Sequence, residues 1–189
     1  MKKSYYLIGL IALIISLIFD KQISILFTSY RIDLLNSISI FFDNIKGYIL
    51  FGIVFLVLLL SKQKKKLLPL VLSLILYLGL TEIIKVTVAR QRPFVELKNA
   101  LVENANSYRS FPSGHATAVS TLIPFFKFNN FLYYVWIIIA VIVSLSRVYL
   151  GVHYLSDVIA GFLLGSLIGE VSINVINKIK RQKGRHRKV

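Results

Sequence analysis

The stretch Ser146 to Asp157 reads SRVYLGVHYLSD and brings three reactive side chains close together in sequence. Arg147 comes first, His153 follows six residues later, and Asp157 follows four residues after that. On a helix, a spacing of four places two side chains on one face, about 6 Å apart along the axis. A carboxylate so placed accepts from one imidazole nitrogen and leaves the other free and basic. An isolated pair of this kind is as often structural, so the rest of the chain has to decide. Two further groups bear on it. Lys85, Arg90 and Arg92 crowd the end of an apolar run that Pro93 closes. Phe111-Pro112-Ser113-Gly114-His115 opens the next one. Ser113 is a natural helix N-cap, and Gly114 lets a ligand approach the backbone. A helix start with free N–H groups is an anion site.

The elements that position these residues are apolar. The chain has 189 residues, 56% of them hydrophobic, and a mean hydropathy of +0.72. That composition indicates an integral membrane protein rather than a soluble domain. Six apolar stretches run roughly 5–19, 48–61, 67–84, 115–126, 131–146 and 158–176. Several fall short of the ~20 residues that a span needs, and their flanks supply the missing turns. The expected fold is all-α, a six-transmembrane helical bundle forming one membrane-embedded domain over residues 1–189. The first stretch follows Met1-Lys2-Lys3 and ends in Ile18-Phe19-Asp20, with no small-residue cleavage site, so it reads as a retained span. The outer segment from Asp20 to Lys46 carries mixed three- and four-residue apolar spacing. It predicts one or two short amphipathic helices at the outer interface. There are no cysteines, which excludes disulfides, iron–sulfur clusters and thiol chemistry.

The net charge of +15 is not spread evenly. Lys2 and Lys3, the Lys62 to Lys66 turn, Lys127 and the tail from Lys178 to Lys188 hold fourteen of the twenty-three basic residues. They fall at alternate ends of the spans, in segments without an acidic residue. The positive-inside rule makes that side cytoplasmic, with both termini inside. The tail 178–189 then anchors the topology and touches anionic lipid. No aromatic residues interleave with its charges, which argues against nucleic-acid binding.

Alternating spans deliver Lys85, Arg92, Ser113, His115, Arg147, His153 and Asp157 to the outer side. Three cations in one place imply a dianionic ligand, and phosphate suits them. The chain has three histidines, one of them (His186) in the inner tail, and Asp157 is the single carboxylate in these outer motifs. That is too few ligands for a zinc or two-metal hydrolase, so no metal and no cofactor is expected. Nucleophilic catalysis remains. His153 backed by Asp157 has the nucleophile-and-orienter arrangement. His115 is the other group nearby able to move protons near neutral pH. The cations would stabilise the equatorial oxygens of a transferring phosphoryl group. Three features stand apart. Glu82 and Lys85 are spaced to pair. Gly161, Gly165 and Gly169 allow close helix approach, within the chain in preference to across a dimer. Glu170 has no partner legible in the sequence, and the oligomeric state is not legible either.

These motifs resemble those of the type 2 phosphatidic acid phosphatase superfamily, the lipid phosphate phosphatases. That family's pattern is KxxxxxxRP, PSGH and SRxxxxxHxxxD. Here the three read KVTVARQRP from Lys85 to Pro93, PSGH from Pro112 to His115, and SRVYLGVHYLSD from Ser146 to Asp157. Every specified position matches, in order and with the spacing intact. The resemblance implies a helical bundle without a metal. It implies that His153 attacks phosphorus to give a phosphohistidine, with Asp157 orienting it. His115 would protonate the leaving group and later activate water. Lys85, Arg92, Ser113, the Gly114 N–H and Arg147 would hold the phosphate. Ser146 matches the third motif without a contact being implied. The substrate class is a membrane lipid phosphate or pyrophosphate at the extracytoplasmic face: polyprenyl pyrophosphate, phosphatidylglycerol phosphate or phosphatidic acid. The short chain and loops favour polyprenyl pyrophosphate. A phosphotransferase would use the same residues, and a non-catalytic membrane protein is the contrasting class.

Overall fold

Long runs of Leu, Ile, Val and Phe leave the backbone one way to satisfy its polar groups away from water, which is to coil on itself. The computed structural model describes residues 3–97, 101 and 109–186. Its helices are α1 (Lys3–Ser29), α2 (Asp33–Asn44), α3 (Gly47–Leu60), α4 (Leu67–Val88), α5 (Pro93–Leu97), α6 (Gly114–Leu122), α7 (Asn130–Tyr149) and α8 (Leu155–His186). Short 3₁₀ turns cover Lys64–Lys66 and Ile123–Phe126. Among the described residues there is no strand beyond one isolated bridge, Gln91 to Arg109.

Four helical segments are long and apolar enough to cross a membrane: Ser4–Ser29, Lys64–Val88, Asn130–Tyr149 and Leu155–Lys183. The pair α2–α3 makes a fifth if taken as one element, although it is bent by 80° at its break. The expected stretch 115–126 is of another kind. It forms the nine-residue α6 and then a 3₁₀ turn containing Pro124, shorter than a span of ~20 residues. Its surroundings explain why. Every residue from Ala116 to Phe126 is buried. The hydroxyls of Thr117, Ser120 and Thr121 donate to carbonyls one turn back, at Ser113 (2.8 Å), Ala116 (2.7 Å) and Thr117 (2.7 Å). This polar, small-residue helix is packed in protein.

Its main neighbour is α8. A Cβ at Gly161 would lie 2.6 Å from the Ser113 carbonyl oxygen. At Gly165 and Gly169 a Cβ would strike the α6 backbone at Thr117 and Thr121. The glycine stripe is therefore an intramolecular seam, the arrangement favoured from spacing. On the other side of α6, Leu50, Val54 and Leu58 of α3 and Trp136 of α7 join Val119 and Leu122 in the core. The Trp136 indole donates to the Val119 carbonyl at 2.9 Å.

The segment that follows the first span begins later than its composition suggests. Helix α1 runs through Asp20 to Ser29, because nothing between them breaks a helix and Asp20 is buried among partners. One short helix follows, α2, with Asp33 in its first turn. At the opposite end the basic segments meet. Lys66 donates to the Phe125 carbonyl at 2.8 Å, and Lys180 donates to that of Lys65 at 3.3 Å. Glu170 finds its partners there, Lys127 and the Tyr6 hydroxyl, each at 3.4 Å. Residues 98–100 and 102–108, between α5 and α6, and the end of the basic tail lie outside the described residues.

Candidate active site

Helix α4 ends at Val88, and Ala89 takes a left-handed conformation (φ 48°, ψ 31°). That turn redirects the chain so that Arg90 and Arg92 point back toward the bundle. Arg92 is buried. Its Nη1 donates to the Val152 carbonyl at 2.8 Å and lies 3.2 Å from His153 Nε2. A guanidinium only donates, so Nε2 presents its lone pair and the ring proton sits on Nδ1. Nδ1 in turn faces Asp157 Oδ2 at 3.5 Å. Nδ1 makes no hydrogen bond across that gap. Gaps of this sort close when a ligand fills the site.

His153 and Asp157 do not meet as two rungs of one helix, contrary to the spacing argument. Helix α8 begins at Leu155, and His153 lies in the turn before it. Asp157 reaches back over that first turn, and its Oδ2 accepts from the Tyr154 N–H at 2.9 Å. This is half of a capping box, with the carboxylate at the third helical position satisfying the cap residue's N–H. The cap fixes the carboxylate and the imidazole turn together. The Ser113 N–H donates to the Asp157 carbonyl at 2.9 Å, tying the second motif to the third.

Ser113 is the N-cap of α6, accepting from the Ala116 N–H at 3.5 Å, as its sequence context predicts. A Cβ at Gly114 would stand 3.6 Å from the Lys85 ammonium, so Lys85 overhangs the start of α6. Lys85 also lies 3.4 Å from Glu82, the pairing expected at that spacing. His115 Nε2 is 3.2 Å from the carbonyl of Ile45, in the break between α2 and α3. A carbonyl only accepts, so Nε2 carries a proton.

Arg147, in the last turn of α7, is 3% exposed. Its Nη2 pairs with Asp43 Oδ1 at 2.6 Å. Its Nε and Nη1 are buried without a hydrogen-bond partner. Unpaired charged donors at such depth are costly, and an anion would relieve them. Ser146 is not drawn into this group. Its hydroxyl donates to the Val143 carbonyl at 2.7 Å, and it lines an apolar groove of about 270 Å³ with Phe27, Leu35 and Tyr149.

The cations lie close enough to disturb one another. Burial, then the nearby Arg147 charge, bring the Arg92 guanidinium down to about 10. Burial, together with Arg92, Arg147 and Lys85, holds His153 well below the ordinary histidine range. The imidazole is therefore neutral at rest, with Nε2 available as a base or nucleophile.

Two charged residues here, Asp43 and Asp20, were not singled out in the sequence, and a third, Arg90, was noted without a role. Asp43 holds Arg147 from α2. Arg90 joins Asp157 to Asp20, a residue of α1. Each is a charge set in or beside an apolar run, and that is the one signal the sequence offers for them.

A family model described as PAP2 superfamily matches residues 66–181. Among curated relatives, an undecaprenyl-diphosphatase of Sulfolobus acidocaldarius is 34% identical over 93% of both chains. A phosphatidylglycerophosphatase B of Bacillus subtilis is 37% identical over 54% of both. Among solved structures, a transmembrane PAP2-type phosphatidylglycerolphosphate phosphatase from Bacillus subtilis superposes with a TM-score of 0.72 at 27% identity. That superposition covers 94% of this chain and 96% of that one. Aquifex aeolicus LpxE gives a TM-score of 0.69 at 26% identity, over 82% and 95%.

Proposed function

The chain belongs to the PAP2 superfamily, and from that membership we propose that it is an integral-membrane phosphatase of lipid phosphates or diphosphates. The observation that carries this reading is the buried Arg147, with two idle N–H donors, on the same site as Lys85, Arg92 and the neutral His153. We assign the roles as follows. Lys85, Arg92, Arg147, Ser113 and the Gly114 N–H hold the phosphoryl oxygens. His153 Nε2 attacks phosphorus as the bond to the leaving oxygen breaks, and His115 delivers a proton to that oxygen. Asp157 keeps the His153 proton on Nδ1 and balances the positive ring of the phosphohistidine. Water, deprotonated by His115, then attacks phosphorus and releases inorganic phosphate with His153 restored.

The relative covering nearly the whole chain is an undecaprenyl-diphosphatase, which favours a polyprenyl diphosphate as substrate and its monophosphate as leaving group. In the membrane, the reading has six crossings. The α6 segment passes as a short, protein-wrapped crossing, and α2 lies along the outer interface, nearly perpendicular to α3. The clustered lysines support cytoplasmic termini and an extracytoplasmic site.

The test is phosphate release by purified protein from a panel of polyprenyl diphosphate, phosphatidylglycerol phosphate and phosphatidic acid, with a metal chelator present. The expected result is turnover that survives chelation and prefers the diphosphate. Product analysis with an added alcohol separates hydrolysis from transfer. No release from any lipid would overturn the reading.

A further inference from the structure

One pair of charges, a buried carboxylate and a partly buried guanidinium, takes no direct part in the reaction just described. Asp20, on α1, is 4% exposed. Its Oδ1 accepts from the Ser156 N–H at 2.9 Å. Its Oδ2 accepts from Arg90 Nη2 at 2.8 Å and from the Ser156 hydroxyl. Arg90 Nη1 donates to Asp157 Oδ1 at 2.8 Å and to Ser156 Oγ at 2.6 Å. The guanidinium carbon lies 4.2 Å from the centre of the Tyr154 ring. Both oxygens of Asp157 are therefore committed: Oδ1 to Arg90, and Oδ2 to the Tyr154 N–H and toward His153.

We propose that Asp20 and Arg90 are positioning residues for the reaction. Asp20 aims the planar fork of Arg90, the fork fixes the plane of the Asp157 carboxylate, and that plane directs Oδ2 at His153 Nδ1. The inference rests on the reading that His153 is the nucleophile. Three features support it over a role in merely pinning α1 to the bundle. The fork is engaged by both its terminal nitrogens, with a different carboxylate on each. The tyrosine ring beneath it restricts rotation out of that plane. A pair with Asp20 buried and Arg90 partly so is a poor source of stability compared with apolar packing, and α1 already packs Ile23 and Phe27 against the core near Val158. Asp20 also lies outside the matched segment 66–181, so the first helix contributes to a site whose motifs all lie beyond it.

The test measures kcat and KM for the full chain in detergent or vesicles, with a polyprenyl diphosphate as substrate. The variants are Asp20→Asn, Asp157→Asn and the double variant. A positioning role lowers kcat of Asp20→Asn by about tenfold to a hundredfold, the scale of losing an outer partner that orients a reacting group, and leaves KM near wild type. In the Asp157→Asn background the second substitution costs nothing further, because there is no carboxylate left to aim. Independent, multiplying losses overturn the proposal, and so does an Asp20→Asn kcat equal to wild type. Asp20→Glu guards against a folding artefact. It keeps the charge and recovers part of kcat at an unfolding midpoint matching that of Asp20→Asn, and failure to recover any at equal midpoints counts against the idea. Loss of the parent reading has a different signature, because His153→Ala would then keep turning over.

Discussion

Replacing Arg147 by lysine keeps a positive charge in the cradle and removes the fork. The structure sets the size of the effect. One terminal nitrogen is spent on Asp43, while Nε and Nη1 wait unpartnered. Two charge-assisted hydrogen bonds to phosphoryl oxygens at about 1.5–3 kcal/mol each amount to about 3–6 kcal/mol. Lysine reaches the site with one ammonium, which also has Asp43 to satisfy, so about half of that is lost. At about 1.4 kcal/mol per decade, kcat/KM should fall about ten- to a hundredfold for Arg147→Lys. Arg147→Met should cost about ten- to a hundredfold more. Methionine leaves Asp43 a half-buried carboxylate without its cation, so Arg147→Met is best paired with Asp43→Asn to preserve folding. Phosphate release from lipid and from p-nitrophenyl phosphate should fall in parallel, since both carry the same oxygens. Inhibition by vanadate should weaken as well, because it mimics the transferring group. If Arg147→Lys keeps wild-type kcat/KM and wild-type vanadate inhibition, the idle donors do not meet phosphate and the cradle has been misassigned.

Four further outcomes are expected. His153→Ala should acquire no phosphoryl label from any substrate. His115→Ala should lose about 10²–10⁴-fold on lipid, yet still be labelled by p-nitrophenyl phosphate, whose anion leaves without a proton; rapid quenching under non-acidic conditions reads both. Burial and the neighbouring cations hold folded His153 below its ordinary range, so on acidification below about 6.5 the unfolded chain binds the extra proton and the folded one does not. Stability should therefore be present above that pH and fall as pH drops through it, more shallowly in His153→Gln; identical slopes by thermal unfolding would refute this. Ala89→Gly should raise stability by about 1 kcal/mol, because Ala89 holds a left-handed conformation that glycine adopts without a Cβ penalty. Activity should be unchanged, because glycine preserves the turn, and a lower unfolding midpoint would contradict the prediction.

Much of the site was legible because its parts are local. Ser113 caps α6 as its Pro-Ser-Gly context requires, Glu82 meets Lys85, and the glycine stripe closes on a neighbouring helix. The His153–Asp157 contact was legible by residue and not by geometry. A spacing of four suggests one helix face, yet Asp157 caps a helix that begins after His153. The short α6 was overextended for a related reason. Hydropathy counts apolar residues and does not say whether lipid or protein surrounds them, and here protein does. Asp20 and Asp43 were out of reach because their partners lie 70 and 104 residues away. A lone carboxylate in an apolar run announces a cost without naming the partner that offsets it.

The glycine seam between α6 and α8 has a mechanical consequence. With backbone against backbone there is almost no compressible side-chain layer between the two helices, so they move as one piece. That piece carries Ser113 and His115 at one helix start and Asp157 at the other, with the His153 turn held to it by the cap. Lys85 and Arg92 sit at the end of α4, and Arg147 at the end of α7. The groups proposed to break bonds thus ride on a rigid block together with Ser113 and Gly114, while the three cations proposed to grip phosphate arrive on struts that pack separately. A thinner or thicker membrane tilts such struts at modest cost. Bilayer thickness should therefore tune how tightly the lipid is held before it touches how fast the held lipid reacts. Kinetics in vesicles of graded acyl length should display that order, with KM drifting first and kcat following only at the extremes.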